Sequence, residues 1–165
     1  MSIISRSIQV TASPEDTWRV VRDFGGVHRW HAKVESSPLL SSNNEGLGAK
    51  RRCEFYDKSS VVEEIISYDE GDRFLEVSLS EFSMPLTQAT ATMKVDPAEG
   101  GGAEVTLSMN FGVKYGPIGW VMDRAMMRPM MGKMFGQVLD GLRTHLETGQ
   151  PIGEGGTVTA QVAMA

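Results

Sequence analysis

A run of short strand-like segments followed by one long amphipathic helix is the feature that most limits how this chain can fold. Between residues 34 and 114 apolar and polar residues alternate, and turn sequences interrupt the alternation repeatedly. The interruptions are too short to hold crossover helices, so neighbouring strands are predicted to be antiparallel. The predicted strands cover 34–40, 48–56, 60–68, 73–81, 86–95 and 103–114.

The first thirty or so residues add one strand and two short helices. Residues 3–11 alternate as a strand. Ser13 and Pro14 then supply the N-cap and the first residue of a helix, which Gly25-Gly26 ends. Residues 27–31 are predicted to form a second short helical turn.

The C-terminal helix, predicted over about 118–148, begins with a methionine-rich stripe. Six of the 11 methionines fall within thirteen residues there. Methionine adapts to irregular shapes, so the stripe is either ordinary core or the wall of a cavity. Pro129 lies inside the segment and should kink the helix or mark the join of two helices.

The composition is that of an ordinary globular protein. The chain has 165 residues, of which 41% are hydrophobic and 22% charged, and its net charge is −5. No apolar run reaches the roughly 20 residues of a bilayer span, and an acidic chain has no general affinity for phosphate backbones. We expect no nucleic-acid partner and no stable membrane insertion. A single cysteine, Cys53, fits a cytoplasmic location.

Strand alternation identifies the side chains that face the covered side of the sheet. Two of them are the mid-strand alanines Ala89 and Ala91, which leave room for a bound molecule or for close approach of the helix. The inward apolar set is Cys53, Phe55, Leu75, Val77, Leu79, Ala89, Ala91, Met93, Met109 and Phe111.

The strand 48–56 also turns one charged side chain, Arg51, toward the interior. A buried charge needs a partner, and the next strand offers Glu63 and Glu64 on opposite faces. If residues 57–59 form a three-residue connection, Glu63 shares a face with Arg51; a two-residue connection selects Glu64 instead. The pair is either a structural ion pair or a polar anchor for a ligand's carbonyl or hydroxyl group.

Candidate acid–base groups are few. Glu63 is the candidate base and Arg51 the candidate cation for stabilising an oxyanion. Further candidates, which form no recognisable motif, are Tyr56, Tyr68, His28 and His31.

Metal and cofactor signals are weaker still. His28 and His31 are followed by Glu35, but two histidines without a firm third ligand do not predict a metal site. There is no phosphate-binding loop or dinucleotide fingerprint, so no cofactor is expected. A nearby Arg51 would lower the pKa of the Cys53 thiol, although packing is the default role of a buried cysteine.

Four segments occur in the order and spacing of a known family. They are Ser13-Pro14-Glu15-Asp16-Thr17-Trp18 with Asp23-Phe24 and Trp30, then Gly48-Ala49-Lys50-Arg51, then residues 63–70, and finally residues 142–149. Over residues 2–150 the chain thereby resembles the START-like superfamily of helix-grip proteins, in its bacterial polyketide cyclase/dehydrase-type (SRPBCC) branch. Thr17 departs from the family pattern, which usually has an aliphatic residue at this position.

The resemblance implies an α+β helix-grip fold. In that fold a seven-stranded antiparallel curved sheet wraps around one long C-terminal helix, with two short helices between strands 1 and 2 and an internal cavity. It also implies that Arg51 and Glu63 point into the cavity. The domain is predicted to cover 1–149, and 150–165 to form a flexible tail. Alternation of Val158, Ala160 and Val162 in the tail suits an edge strand or a homodimer contact.

Three functional classes follow from these observations. In the first, the protein binds or carries a small hydrophobic molecule (a lipid, polyketide or aromatic compound), with Arg51 and Glu63 orienting its polar end. Met126, Met130 and Met134 would then complete the cavity wall. In the second, it is a cyclase or dehydratase acting on a cavity-bound polyketide. In the third, the methionines face outward and contact a partner or a membrane surface, beside Arg124, Arg128 and Lys133.

Overall fold

The computed structural model describes residues 1–158 of the chain. The elements in chain order are β1 (Ser2–Val10), α1 (Pro14–Arg22), a 3-10 segment (Phe24–Arg29), β2 (Val34–Ser36), β3 (Lys50–Phe55), β4 (Ser60–Asp69), β5 (Phe74–Ser80), β6 (Leu86–Pro97), β7 (Ala103–Val113), α2 (Gly116–Met122), a π-helical turn (Asp123–Met127), α3 (Arg128–Thr148) and a 3-10 turn (Glu154–Gly156).

The strands form one curved antiparallel sheet. Its seven strands lie in the order β1-β7-β6-β5-β4-β3-β2, and the helices cover one face. The predicted α+β helix-grip arrangement is therefore confirmed. The inward alternation is also confirmed in β5 and β7, where Leu75, Val77, Met109 and Phe111 are buried in a core shared with α1 and α3.

The second strand is shorter than predicted. β2 covers only Val34–Ser36 of the predicted segment 34–40. Pro38 has no N–H to donate, so a regular ladder cannot continue through it. Pairing resumes beyond the proline only as an isolated bridge between Leu39 and Arg51.

The helix α1 begins as predicted. The Ser13 side chain accepts a hydrogen bond from the Asp16 N–H at 3.1 Å, and Pro14 occupies the first turn, where its missing N–H costs nothing. Trp18 and Val21 are buried against the sheet side of the domain.

The C-terminal helix is built from two helices joined by a π-helical turn. α2 and α3 meet at residues 123–127, and Pro129 lies in the first turn of α3, so the predicted join is present. No helix within residues 1–158 is long and apolar enough to cross a bilayer.

The methionine stripe is divided between the core and the surface. Met127 and Met131 are 4% and 1% exposed, whereas Met126 and Met130 are 55% and 47% exposed. The prediction that Met126 and Met130 face the interior is therefore wrong. The buried stripe of α3 is set by Phe135 and its neighbours, and a shift of one residue rotates a side chain by about 100° around the helix.

Two glycines show how closely α3 approaches the rest of the domain. A Cβ added at Gly141 would lie 2.4 Å from the carbonyl oxygen of Trp30, whereas one added at Gly136 would have nothing within 4 Å. Only glycine therefore permits the observed contact between α3 and the segment that follows α1.

Residues 150–158 lie against this same region. The Ile152 N–H donates to the Arg29 carbonyl at 2.8 Å and the Gly155 N–H to the Ala32 carbonyl at 3.1 Å. Ile152 is buried and forms an isolated bridge with Val158. The domain boundary at residue 149 stays a prediction, and the predicted alternation at Ala160 and Val162 lies outside the described residues.

We predict opposite effects for alanine at the two glycines. Gly141→Ala should lower the free energy of unfolding by about 1–3 kcal/mol, because the new methyl group must displace backbone. Gly136→Ala should raise it by up to about 1 kcal/mol, because alanine favours the helix and meets no atom. Urea unfolding of both variants measures the difference; equal effects at the two positions would contradict the close packing of α3.

Candidate functional site

A largely buried ion pair lies on the covered face of the sheet. Arg51 on β3 and Glu63 on β4 stand directly opposite each other, and their side chains are 11% and 14% exposed. The structure therefore brings together the two residues that the sequence analysis singled out as polar anchors.

The connection between β3 and β4 decides which glutamate faces inward. It is a three-residue loop, residues 56–58, closed by the Phe55 N–H donating to the Ser59 carbonyl at 2.9 Å. The loop starts one residue earlier than predicted, but its odd length places Glu63 on the inward face. The Glu64 side chain faces outward and is 45% exposed.

The protein satisfies most of the hydrogen-bonding capacity of Arg51. Its Nε donates to Glu63 Oε2 at 2.7 Å, and its Nη2 pairs with the same carboxylate oxygen. Its Nη1 donates to the Phe24 carbonyl at 2.7 Å, and the guanidinium lies 3.7 Å from the centre of the Phe24 ring. The arginine thus ties β3 to β4 and to the 3-10 segment.

The two carboxylate oxygens of Glu63 differ in their hydrogen bonding. Its Oε2 receives the contacts of Arg51 and lies 3.6 Å from the sulfur of Cys53. Within residues 1–158 no hydrogen bond reaches Oε1. One oxygen of an inward-facing carboxylate is therefore available to an added donor.

Cys53 is a buried thiol and not a reactive thiolate. Burial, and then the negative charge of Glu63, raise its pKa to about 12, and the charge of Arg51 lowers it too little to compensate. Arg51 does lower this pKa, as predicted, but burial and the nearby Glu63 carboxylate outweigh it, so packing is the role that the structure supports for Cys53.

His31 adds a third polar group to the pair. The Lys33 N–H donates to its Nδ1 at 3.1 Å, so the neutral ring carries its proton on Nε2. Burial lowers the pKa of His31 to about 4; Glu63 opposes this shift and Arg51 adds to it. The ring is neutral at pH 7, and no residue among 1–158 accepts a hydrogen bond from Nε2. The sequence analysis left His31 as one candidate among several, since only the fold brings it to Glu63.

The remaining acid–base candidates are engaged elsewhere. The Tyr68 hydroxyl donates to Glu70, which also accepts from Trp18 Nε1 at 3.0 Å, and burial raises the pKa of Tyr68. His28 Nδ1 lies 2.7 Å from Ser37 Oγ on the other side of the 3-10 segment. Burial also raises the pKa of Tyr56, whose surroundings include Glu35.

The apolar residues predicted to bind a ligand fall into two groups. Some belong to the closed core: Cys53, Leu75, Val77, Ala89, Met109 and Phe111. Others face inward but keep part of their surface exposed: Phe55, Leu79, Ala91, Met93 and Met134.

The partial exposure of the second group has a simple cause. α3 packs chiefly on β1 and touches β7, and it covers the inner face of β3–β5 less closely. The candidate site is this less closely covered part of the inner face. There the partly exposed apolar side chains share the inner side of the sheet with the polar cluster of Arg51, Glu63 and His31, which we call the inner cluster.

Within residues 1–158, two surface pockets lie elsewhere, and neither is lined by Arg51, Glu63 or His31. One, of about 390 Å³, is formed by the start of β1, the end of β7 and α2, and shares Phe111 with the predicted ligand-binding set. Asp123 lies in its wall, 6% exposed; one of its oxygens accepts a hydrogen bond from Ser2 Oγ. The other, of about 680 Å³, is an open depression beside the 3-10 segment, with His28 and Leu39 in its lining.

No metal-binding geometry is found in the described part of the chain. Within residues 1–158 no three His, Cys, Asp or Glu side chains are placed to hold one ion. His31 instead belongs to the inner cluster and His28 bonds to Ser37.

Comparison with known proteins identifies the kind of domain. A family model described as "Polyketide cyclase / dehydrase and lipid transport" matches residues 1–147. No curated protein matches the chain significantly in sequence.

Solved structures share its fold at low sequence identity. The protein XoxI of Bacillus cereus is 19% identical, with 90% of this chain and 97% of that chain covered and a TM-score of 0.74. A protein of Thermus thermophilus is 20% identical, with 90% and 99% covered and a TM-score of 0.74. A norcoclaurine synthase point mutant of Thalictrum flavum, in complex with a transition-state analogue, is 17% identical, with 88% and 94% covered and a TM-score of 0.67. At these identities the likeness concerns the fold alone.

We predict that His31 makes stability depend on pH. Its pKa is about 4 in the folded protein and near 6.5 in the unfolded chain, so the unfolded chain binds more protons between these values. Its stabilising contribution is complete above pH 6.5 and is lost as pH falls toward 4, by about 3 kcal/mol. Urea unfolding from pH 7 to pH 4.5 should show a smaller loss for His31→Gln than for the wild type, and identical losses would exclude this role.

Proposed function

Because the chain belongs to the polyketide cyclase/dehydrase and lipid transport family, we propose that it binds or carries a small hydrophobic molecule between the inner face of the sheet and α3. The family match agrees with the resemblance found in the sequence. The observation that carries the proposal is the inner cluster, which presents unused polar atoms beside partly exposed apolar side chains.

The unused atoms define what the ligand's polar end should offer. Glu63 Oε1 accepts a hydrogen bond, and the His31 Nε2–H donates one. A hydroxyl group can donate to the first and accept from the second, and a carbonyl can accept from the second. A carboxylate is disfavoured, because Glu63 already neutralises Arg51 and would repel a second negative charge.

Apolar surface supplies the rest of the interaction. Leu79, Ala91 and Met93 face the space and retain exposure that a ligand would remove. Removing apolar surface from water stabilises a complex by about 25 cal/mol per Å² before the cost of association. The predicted ligand is therefore a lipid, polyketide or aromatic compound with one neutral polar end. The norcoclaurine synthase that shares the fold was solved in complex with a transition-state analogue, which supports ligand binding by a domain of this fold.

We predict that filling the space abolishes binding. Ala91→Trp places an indole on the inner face of β6, whereas Thr92→Trp places the same group on the outer face of the same strand. N-phenylnaphthylamine, a neutral fluorescent probe, should bind the wild type and Thr92→Trp with the same affinity. Its affinity for Ala91→Trp should be lower by about tenfold or more. Native mass spectrometry of freshly purified protein should show a co-purifying molecule lost only from Ala91→Trp. Equal probe binding by both variants would place the ligand elsewhere.

We predict that the ion pair gives selectivity for a polar end. Replacing one partner leaves an uncompensated charge and should cost about 3–5 kcal/mol of stability, so the informative variant is Arg51→Gln/Glu63→Gln. Wild-type protein should prefer naphthol over methylnaphthalene, and the double variant should lose about tenfold of that preference through loss of a charge-assisted hydrogen bond. An unchanged preference in a folded double variant would show that the pair is only structural.

Catalysis is the second candidate function. A cyclase or dehydratase needs a base within hydrogen-bonding distance of its substrate, and the unpartnered Oε1 of Glu63 beside a neutral His31 favours this reading. Glu63→Gln would then stop conversion of a poly-β-ketone while N-phenylnaphthylamine still binds. If the wild type binds the poly-β-ketone but does not convert it, the catalytic function is excluded and the binding function stands.

A third class also has an observation in its favour. Met126 and Met130 are exposed on the outer side of the C-terminal helices, as expected for a surface that contacts a partner or a membrane.

A further inference from the structure

We propose that α2, the π-helical turn and the first turns of α3 form a surface that docks onto anionic lipid bilayers. We call it the docking surface and define its apolar part by the exposed residues Tyr115, Ile118, Trp120, Val121, Met126 and Met130. This inference goes beyond ligand binding in the inner space, because it names a partner for a different part of the molecule.

The apolar part is large for a surface. Ile118 is 75% exposed, Trp120 60% and Val121 57%. Clusters of exposed large apolar side chains mark interaction sites more often than scattered single ones do. Gly119, Asp123 and Met127 form the buried row of the same segment, so the exposed residues project away from the core.

The charges around the apolar residues are positive. Between residues 114 and 133 the basic residues are Lys114, Arg124, Arg128 and Lys133, and the single acidic residue, Asp123, is buried. The segment therefore carries +3 of a net charge of −5, which leaves −8 for the rest of the chain. This asymmetry would orient the docking surface toward a negatively charged membrane and the rest of the molecule away from it.

Trp120 and Arg124 form a pair suited to the headgroup region. The guanidinium lies 4.7 Å from the centre of the indole ring, and both side chains are exposed. Tryptophan prefers the boundary between water and hydrocarbon, and arginine binds lipid phosphates. Unbranched Met126 and Met130 can adapt to a fluid surface.

A lipid surface fits these features better than a protein partner. Cores of protein interfaces are depleted of charge, whereas here the apolar side chains alternate along the helices with basic ones. The 390 Å³ pocket opens beside Trp120, so docking would bring the end of the sheet's inner face to the lipid headgroups.

Vesicle sedimentation tests the proposal. Wild-type protein should sediment with vesicles made of a mixture of phosphatidylglycerol and phosphatidylcholine, and less with vesicles of phosphatidylcholine alone. High salt should reduce binding to the mixed vesicles, because it screens the electrostatic attraction. Arg124→Gln/Lys133→Gln should weaken binding by about 25-fold, which is about fivefold for each charge. Arg19→Gln/Arg143→Gln, which removes two exposed charges elsewhere, should bind as the wild type does.

The apolar contribution has its own matched pair. Ile118→Asp should abolish binding, whereas Leu47→Asp, at a 68% exposed leucine outside the docking surface, should have a small effect. N-phenylnaphthylamine binding in the absence of vesicles should be the same for both variants. If Ile118→Asp loses vesicle binding but still binds the probe, the docking surface is separate from the ligand-binding function. If neither the wild type nor any variant binds the probe, the ligand-binding function fails on its own.

Three results would overturn the proposal. The first is equal binding of wild type to anionic and neutral vesicles. The second is equal loss of vesicle binding in Leu47→Asp and Ile118→Asp. The third is a wild type that is a dimer by analytical ultracentrifugation and does not bind vesicles, together with an Ile118→Asp variant that is a monomer. The surface would then be an interface between two copies of the chain.

Discussion

The ion pair between Arg51 and Glu63 is the interaction on which the candidate site depends. Two charges that are mostly removed from water stabilise a fold only when their hydrogen bonds are well satisfied, and here Arg51 uses Nε, Nη1 and Nη2 on Glu63 and on the Phe24 carbonyl. These bonds fix the register of β3 on β4 and hold the 3-10 segment over the sheet. The same charges act on Cys53 and His31, so the pair also sets which of its neighbours are neutral at pH 7.

The C-terminal helices divide the molecule's functions between two places. Near Gly141, α3 touches the Trp30 carbonyl close to the inner cluster, whereas the docking surface begins at the other end, about 20 Å away along the helix axis. Between these ends α3 rests mainly on β1 and leaves the inner face of β3–β5 partly uncovered. A helix held at one edge of a curved sheet therefore leaves part of the inner face less closely covered, and the segment before it carries an exposed apolar surface. The proposed functions, ligand binding and membrane docking, use one each.

The sequence predicted the strands from alternation and the start of α1 from Ser13 and Pro14, because both signals are local and need no knowledge of the rest of the chain. It predicted that Arg51 needs a carboxylate for the same kind of reason, since a buried charge has few alternatives. It missed the short β2, although Pro38 was a visible signal. It assigned Met126 and Met130 to the wrong side of the helix, and it could not weigh burial and Glu63 against Arg51 at Cys53, because both outcomes depend on how the folded chain packs.

The sequence by itself thus determined the order of elements, the antiparallel sheet and the inward face of the clearly alternating strands β5 and β7, because side-chain alternation and turn chemistry act over a few residues. Tertiary structure alone decided which face of α3 is buried, since a methionine-rich helix is apolar on several sides and only contacts such as Gly141 on Trp30 fix its rotation. Tertiary structure also brought His31 to Glu63 and set its protonation. Proximity and burial act through space, and no local pattern of residues records them.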